Sequence, residues 1–213
     1  MIEQVKEAID RTVEQFQKFP LGFLSERDIQ ACLFAELRKQ TDGLRYQYDA
    51  GDKNRRFGFT DPFSIHPVTT EYHLYNGKDD RFDIAVLSEK QDSSSDIWRQ
   101  PCRIAIEIKL WQPGYRDCTY HSDVEKLQAY QKYLQKKFDK NCVFTGIAML
   151  FVHPQVKKEW LAPIPDETSG HSCPGNGVVL HFVTERRHWW EQQVSAPSTS
   201  DQVSATPSSD LVA

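Results

Sequence analysis

The run Arg103–Trp111, Arg-Ile-Ala-Ile-Glu-Ile-Lys-Leu-Trp, carries a carboxylate and an ammonium two residues apart inside an otherwise apolar stretch. Side chains alternate faces along an extended chain. Ile104, Ile106, Ile108 and Leu110 therefore share one side, and Ala105, Glu107 and Lys109 the other. Charges almost never enter a buried strand without a partner. A metal ion with a polarised water beside it is the partner that best suits this pair, so the strand is where chemistry is expected.

Upstream, Ile2, Val5, Ile9, Val13 and Phe16 recur at helical spacing, which predicts a helix over residues 2–18 before Pro20 and Gly22 break it. A second helix is predicted from Ser25 to about Lys39. Ser25 is its N-cap, Asp28 its acidic capping-box partner, and Ile29, Leu33 and Leu37 its apolar stripe. Glu26 and Glu36 both fall on or near that stripe, each close to a helix end from which it can reach water. Residues 41–67 read as a long loop with one short strand at Tyr46–Tyr48. Arg45, Arg55 and Arg56 alternate there with Tyr46, Tyr48, Phe57 and Phe59, a mixture suited to phosphates and stacked bases or to an ordinary packed loop.

A hairpin is predicted next, with Glu71–Tyr75 and Arg81–Ser88 as strands around the turn signal Asn76-Gly77. Phe82, Ile84 and Val86 should share one face of the return strand, and Arg81, Asp83, Ala85 and Leu87 the other. Beyond the charged strand, Val124, Leu127, Gln131, Leu134 and Phe138 mark a helix over residues 122–138, capped by Ser122 or Asp123. Val143–Val152 and Val178–Val183 read as buried strands, and Trp189-Trp190 as core packing. From about Val194 the Ser-, Ala- and Pro-rich chain cannot build a core and is expected to be disordered. The expectation is one α/β domain over residues 1–193 and a tail over 194–213.

A net charge of -4 rules out a general basic field, so contact with a polyanion must rest on local patches. Five scattered cysteines without a Cys-x-x-Cys pair read as reduced thiols, and no His-Glu-x-x-His pair supports a zinc hydrolase. No run approaches the length needed to span a bilayer, and no secretory leader is visible, so a cytoplasmic protein without membrane attachment is expected.

Asp83, then Glu107-Ile108-Lys109 on the next strand, then a helix bearing Asp123 and Lys126, resembles the PD-(D/E)XK nuclease superfamily over about residues 25–152. The Pro-Asp dipeptide behind the family name is absent, since Phe82 precedes Asp83. The resemblance implies a three-layer α/β/α restriction-endonuclease-like core with a mixed central sheet. It implies Asp83 and Glu107 as metal ligands and Lys109 as the residue that positions and activates water. Glu26 would be the further acidic residue on the preceding helix, acting through water, with Glu36 in reserve, and Lys126 or Gln128 an accessory from the following helix. The implied partner is nucleic acid, expected to be DNA, and a homodimer would let both strands be cut. Two neighbouring carboxylates repel unless a cation joins them, and hard oxygen ligands suit Mg²⁺ or Mn²⁺. The Ile108 carbonyl can complete the set. A lone Glu-x-Lys is common by chance and reads first as a salt bridge; the upstream Asp and the element order favour a nuclease-like site. The rival readings are a non-catalytic nucleic-acid- or protein-binding module on the same fold, and a nuclease acting on RNA.

Overall fold

In a computed structural model, which describes residues 1–56, 58–59, 62–73, 81–89, 92, 100–114, 120–138, 143–157, 177–184 and 188–193, the charged strand lies inside a six-stranded mixed sheet. The elements are α1 (Ile2–Lys18), a 3-10 turn (Pro20–Gly22), α2 (Glu26–Gln40), β1 (Tyr46–Tyr48), α3 (Gly51–Arg55), β2 (Phe63–Ile65) and β3 (Val68–His73). They continue as β4 (Arg81–Leu87), β5 (Cys102–Trp111), α4 (His121–Lys137), β6 (Thr145–Val152), β7 (Gly177–Val183) and β8 (His188–Gln193). The sheet order is β3-β4-β5-β6-β7-β8. Its middle strands β5, β6 and β7 are parallel, and β3, β4 and β8 run antiparallel to their neighbours. A parallel neighbour needs a long crossover, and α4 supplies it between β5 and β6. β1 and β2 form a separate two-stranded sheet.

Helices cover both faces. Val5, Ile9, Val13 and Phe16 of α1 and Ile29, Leu33 and Leu37 of α2 cluster with Ile84, Val86, Ile104, Ile106 and Ile108. On the other face Val124, Leu127, Tyr130 and Leu134 of α4 cluster with Ala85, Ala105, Ala148 and Phe182. Covered on both sides, β6 is buried at all its positions, which is why it reads as an unbroken apolar run. Small residues bring α4 close: a Cβ on Gly146 would lie 3.1 Å from Leu127 Cβ and 3.2 Å from Val178 Cγ2.

The α2 start is as predicted, with Asp28 Oδ2 accepting the Ser25 N–H at 2.8 Å. Elsewhere the structure departs from the sequence pattern. β3 begins at Val68, because Val68, Thr69 and Thr70 are β-branched and pair with Val86, Ala85 and Ile84. Residues 41–67 contain α3 and β2 besides β1, and Tyr46, Tyr48, Ala50 and Phe63 form a small core of their own. α4 starts at His121 behind Tyr120, so Ser122 and Asp123 lie inside its first turn and do not cap it. Tyr130, not Gln131, is the buried residue of its middle turn, and its hydroxyl accepts the Cys102 N–H at 2.9 Å. Residues 188–193 form β8, a strand the sequence pattern did not predict, and the expected core packing of Trp189 and Trp190 falls on side chains outside those described. Cys102 and Cys32 are free thiols, one buried and one partly so. The Asn76-Gly77 turn, Cys118, Cys142, Cys173 and the 194–213 tail lie outside the described residues. Among the described residues, no helix is long and apolar enough to cross a membrane.

Candidate metal centre

The site begins where the β4–β5 ladder stops. The two strands pair at Val86–Ile104, Ala85–Ala105 and Ile84–Ile106, and one more step brings Asp83 level with Glu107. There the pattern changes. The Ile108 N–H donates at 2.7 Å to Asp83 Oδ2, where continued pairing would offer a backbone carbonyl of β4. Further along, the Leu110 N–H donates to Glu26 Oε1 at 3.4 Å. Carboxylates from β4 and from the first residue of α2 thus take the backbone donors that the ladder leaves open. Within a strand a residue's N–H and C=O face the same neighbour, so the Ile108 carbonyl also looks into this gap. Phe82 belongs with Ala85 on the α4 face, against the predicted alternation, and packs edge-on against Tyr130 with ring centroids 5.1 Å apart.

The turn in β4 is matched in the edge strand. Glu71, the residue level with Asp83, drops out of the β3–β4 register and has φ 50°, a left-handed conformation unusual for a residue with a side chain. Gln30, one turn beyond Glu26 on α2, ties the two strands together. Its Nε2 donates to the Asp83 carbonyl at 2.7 Å and to Glu71 Oε1 at 3.0 Å. A cavity of about 200 Å³ beside β3, lined by Thr69, Thr70, Tyr72 and His73 among others, shares Glu71 with this clamp.

Two lysines face the acids. Lys109 Nζ lies 3.7 Å from Glu26 Oε2 and 3.7 Å from Asp123 Oδ2, held between α2 and α4. Lys126 Nζ lies 2.7 Å from Glu107 Oε1 and donates to the Arg81 carbonyl at 2.9 Å. Glu107 is only 4 % exposed and Asp123 only 8 %. Glu107 Oε1 and Asp123 Oδ2 accept no hydrogen bond of regular geometry, so each depends on the charge of its lysine.

Four carboxyl groups face two ammonium groups, and three of the acids are raised, chiefly by burial. Burial pushes the Asp83 carboxyl up to about 6, against the pull of the Ile108 N–H and Lys126. Burial pushes Glu107 up to about 9, with nearby Asp83 adding to it and Lys126 only partly opposing it. Asp123 is raised too, mainly by burial. Burial lowers Lys109, but Asp123, Glu26, Asp83 and Glu107 together outweigh it and hold the ammonium charged.

A divalent cation suits such a cluster: buried oxygens without regular partners, more carboxyl than ammonium groups, and a carbonyl in the gap. Among the described residues, no three His, Cys, Asp or Glu side chains converge as a ligand set. Asp83, Glu107 and the Ile108 carbonyl are the oxygens that could hold such an ion, with water in its other positions.

Asp83, Glu107, Lys109 and Glu26 come together, and so does Lys126. Glu36 does not. It is buried against α1, paired with Lys39 at 2.6 Å and with Gln15 Nε2 at 3.5 Å. Gln128 is half-buried on α4, and among the described residues no hydrogen bond or ion pair joins it to the acids. Arg45, Arg55 and Arg56 are exposed around β1 and α3, beyond the opposite end of α2 from Glu26. Asp123, which the resemblance places on the following helix without a role, and Gln30 also belong to the cluster. Asp123 was visible as an acid one helical turn before Lys126, whereas Gln30 had no signal in the sequence.

Comparison with protein-family models, curated proteins and solved structures finds no match in any of the three.

Proposed function

We propose that this chain is a Mg²⁺- or Mn²⁺-dependent nuclease of the PD-(D/E)XK type, hydrolysing phosphodiester bonds in DNA on a restriction-endonuclease-like core. The observation that carries the reading is the gap at the end of the β4–β5 ladder, where Asp83, Glu107 and the Ile108 backbone meet beside Lys109. Asp83, Glu107 and the Ile108 carbonyl would hold the ion. When bound, it would supply charge against the scissile phosphate and acidity to a coordinated water.

The chain's own groups do the rest. Lys109, kept cationic by its acid neighbours, orients the attacking water and balances charge developing on the phosphate oxygens. Glu26 and Asp123 hold that ammonium from opposite helices, so its position does not depend on substrate. Gln30 fixes the backbone of Asp83. α2 and α4 both begin at the site, and their N-terminal N–H groups favour the approach of an anion.

The test is cleavage of plasmid and oligonucleotide substrates with Mg²⁺ or Mn²⁺ by wild type, Asp83→Ala and Lys109→Ala. Wild type should cut only with metal, and each variant should lose about a hundredfold or more in rate. Equal activity in all three would refute the reading, as would none on duplex, nicked or single-stranded forms. Parallel RNA substrates decide the sugar, because the metal site alone does not read the 2′-hydroxyl.

One observation favours a second reading, a module that binds nucleic acid or protein without cutting. Lys126 already supplies Glu107 with a cation at 2.7 Å. On that reading Mn²⁺ titration gives no heat that disappears with Glu107→Gln.

A further inference from the structure

Among the described residues, Lys126 is the cation in direct contact with Glu107, the most buried acid of the cluster. Its Nζ is 2.7 Å from Glu107 Oε1, an oxygen that solvent does not reach and that accepts no regular hydrogen bond. The Lys126 side chain is 22 % exposed, so it reaches solvent where that oxygen does not. It also has an anchor independent of Glu107: the Arg81 carbonyl at 2.9 Å, with the Phe82 ring centroid 5.9 Å from Nζ. Lys109, by contrast, is engaged by Glu26 and Asp123 and makes no ion pair with Glu107.

We infer that the Lys126 ammonium is a built-in stand-in for the metal, occupying the Glu107 side of the site until a divalent cation takes its place and leaves it held by the Arg81 carbonyl. This inference rests on the metal reading above and adds a mechanism to it. A buried carboxylate left alone is costly, and an ammonium on the neighbouring helix removes much of that cost in the metal-free protein. A divalent ion brings twice the charge to the same oxygens, and the lysine gives up Glu107 while keeping the carbonyl and ring face it already touches. Lys126 therefore opposes metal binding although it belongs to the site. It sets a threshold: metal affinity is reduced by the strength of the contact that must be broken.

Calorimetric titration with Mn²⁺ alone, without nucleic acid, tests this on the full chain. Lys126→Met and Lys126→Gln should bind Mn²⁺ about tenfold more tightly than wild type, the equivalent of one partly buried ion pair. Lys126→Arg keeps the charge and should stay near the wild-type affinity. Glu107→Gln should abolish binding in every background. A neutral variant that folds only with Mn²⁺ present would support the inference too. If neither neutral variant folds, wild type carries the test: acylation of Lys126 by an amine-directed reagent, read by peptide mass, should speed up several-fold when Mn²⁺ is added.

Unchanged or weaker affinity in Lys126→Met and Lys126→Gln, with Glu107-dependent binding in wild type, would overturn the stand-in role and leave the metal reading intact. Lys126 labelling that ignores saturating Mn²⁺ would do the same. No Mn²⁺ binding by wild type or any variant would remove both.

Discussion

Asp83 accepts the backbone N–H of Ile108 through its side chain, at 2.7 Å, at the point where β4 and β5 cease to pair. One carboxyl group thus has a structural duty through Oδ2 while remaining able to bind a cation. The two duties are separable. Asp83→Asn keeps an oxygen for the Ile108 N–H, whereas Asp83→Ala leaves that donor without it. Both should lose Mn²⁺ binding and cleavage, but only the alanine variant should also lose about 1–2 kcal/mol in urea unfolding. Equal stabilities for the two would show that the bond contributes nothing to the fold.

The raised carboxyls give the metal-free protein a definite pH dependence. A folded-state acid above its ordinary value favours folding fully at low pH, and the benefit is lost as pH rises through the folded value. Asp83 moves from 3.8 to about 6 and Glu107 from 4.5 to about 9, so metal-free stability should fall from about pH 4 to about pH 9. Glu107→Gln should flatten most of that slope. Saturating Mn²⁺ should reverse it, because ligands must be deprotonated to bind. Thermal melts across this range, with and without Mn²⁺, read all three; melts independent of pH would contradict the burial of Glu107.

Gly146 lets α4 lie against β6, with Leu127 Cβ 3.1 Å from where a Cβ would be. Gly146→Ala should therefore cost about 1–3 kcal/mol as an overpacking mutation. Because Asp123 and Lys126 ride on the same helix, the displacement should also change Mn²⁺ affinity. Urea unfolding and calorimetry on one sample measure both, and an alanine variant as stable as wild type would mean the helix shifts freely.

Glu71 pays for its left-handed backbone with conformational strain. Glu71→Gly removes the strain, though it also removes an acceptor of Gln30, and should change stability by less than about 1 kcal/mol. Glu71→Val, β-branched at the same φ, should cost about 1–3 kcal/mol. If valine is tolerated as well as glycine, the bend opposite Asp83 is not held in place.

Strand alternation acts over two residues, and along β5 it holds, with Ile104, Ile106 and Ile108 on one face and Ala105 on the other as the pattern predicts. That is why Asp83, Glu107 and Lys109 were recognisable as one set, and why the strands beneath them were legible from Ile84, Ile104 and Ile106. Local pattern fails where packing decides. Phe82 departs from its predicted face because β4 turns at Asp83, and that turn is imposed by the carboxylate–Ile108 bond, the Gln30 clamp and the Glu71 backbone.

Glu26 and Glu36 looked alike on the helical wheel, yet α1 covers one and leaves the other over β5. No periodicity in α2 could have separated them. The short elements α3 and β2 escape the pattern for a different reason: five and three residues are too few to show a period. Arg45, Arg55 and Arg56 share a composition suited to phosphate but not a position beside the acids, since composition fixes no location.

Glu26 and the Leu110 amide it accepts are 84 residues apart, and Asp123 and Lys126 come later still. The constellation thus assembles only when four distant stretches of chain have docked. A partly synthesised or partly unfolded molecule holds scattered acids and amines, with nothing to concentrate a cation. Any reactivity of this centre is switched on by completion of the fold, which shields whatever lies nearby while the protein is still being made.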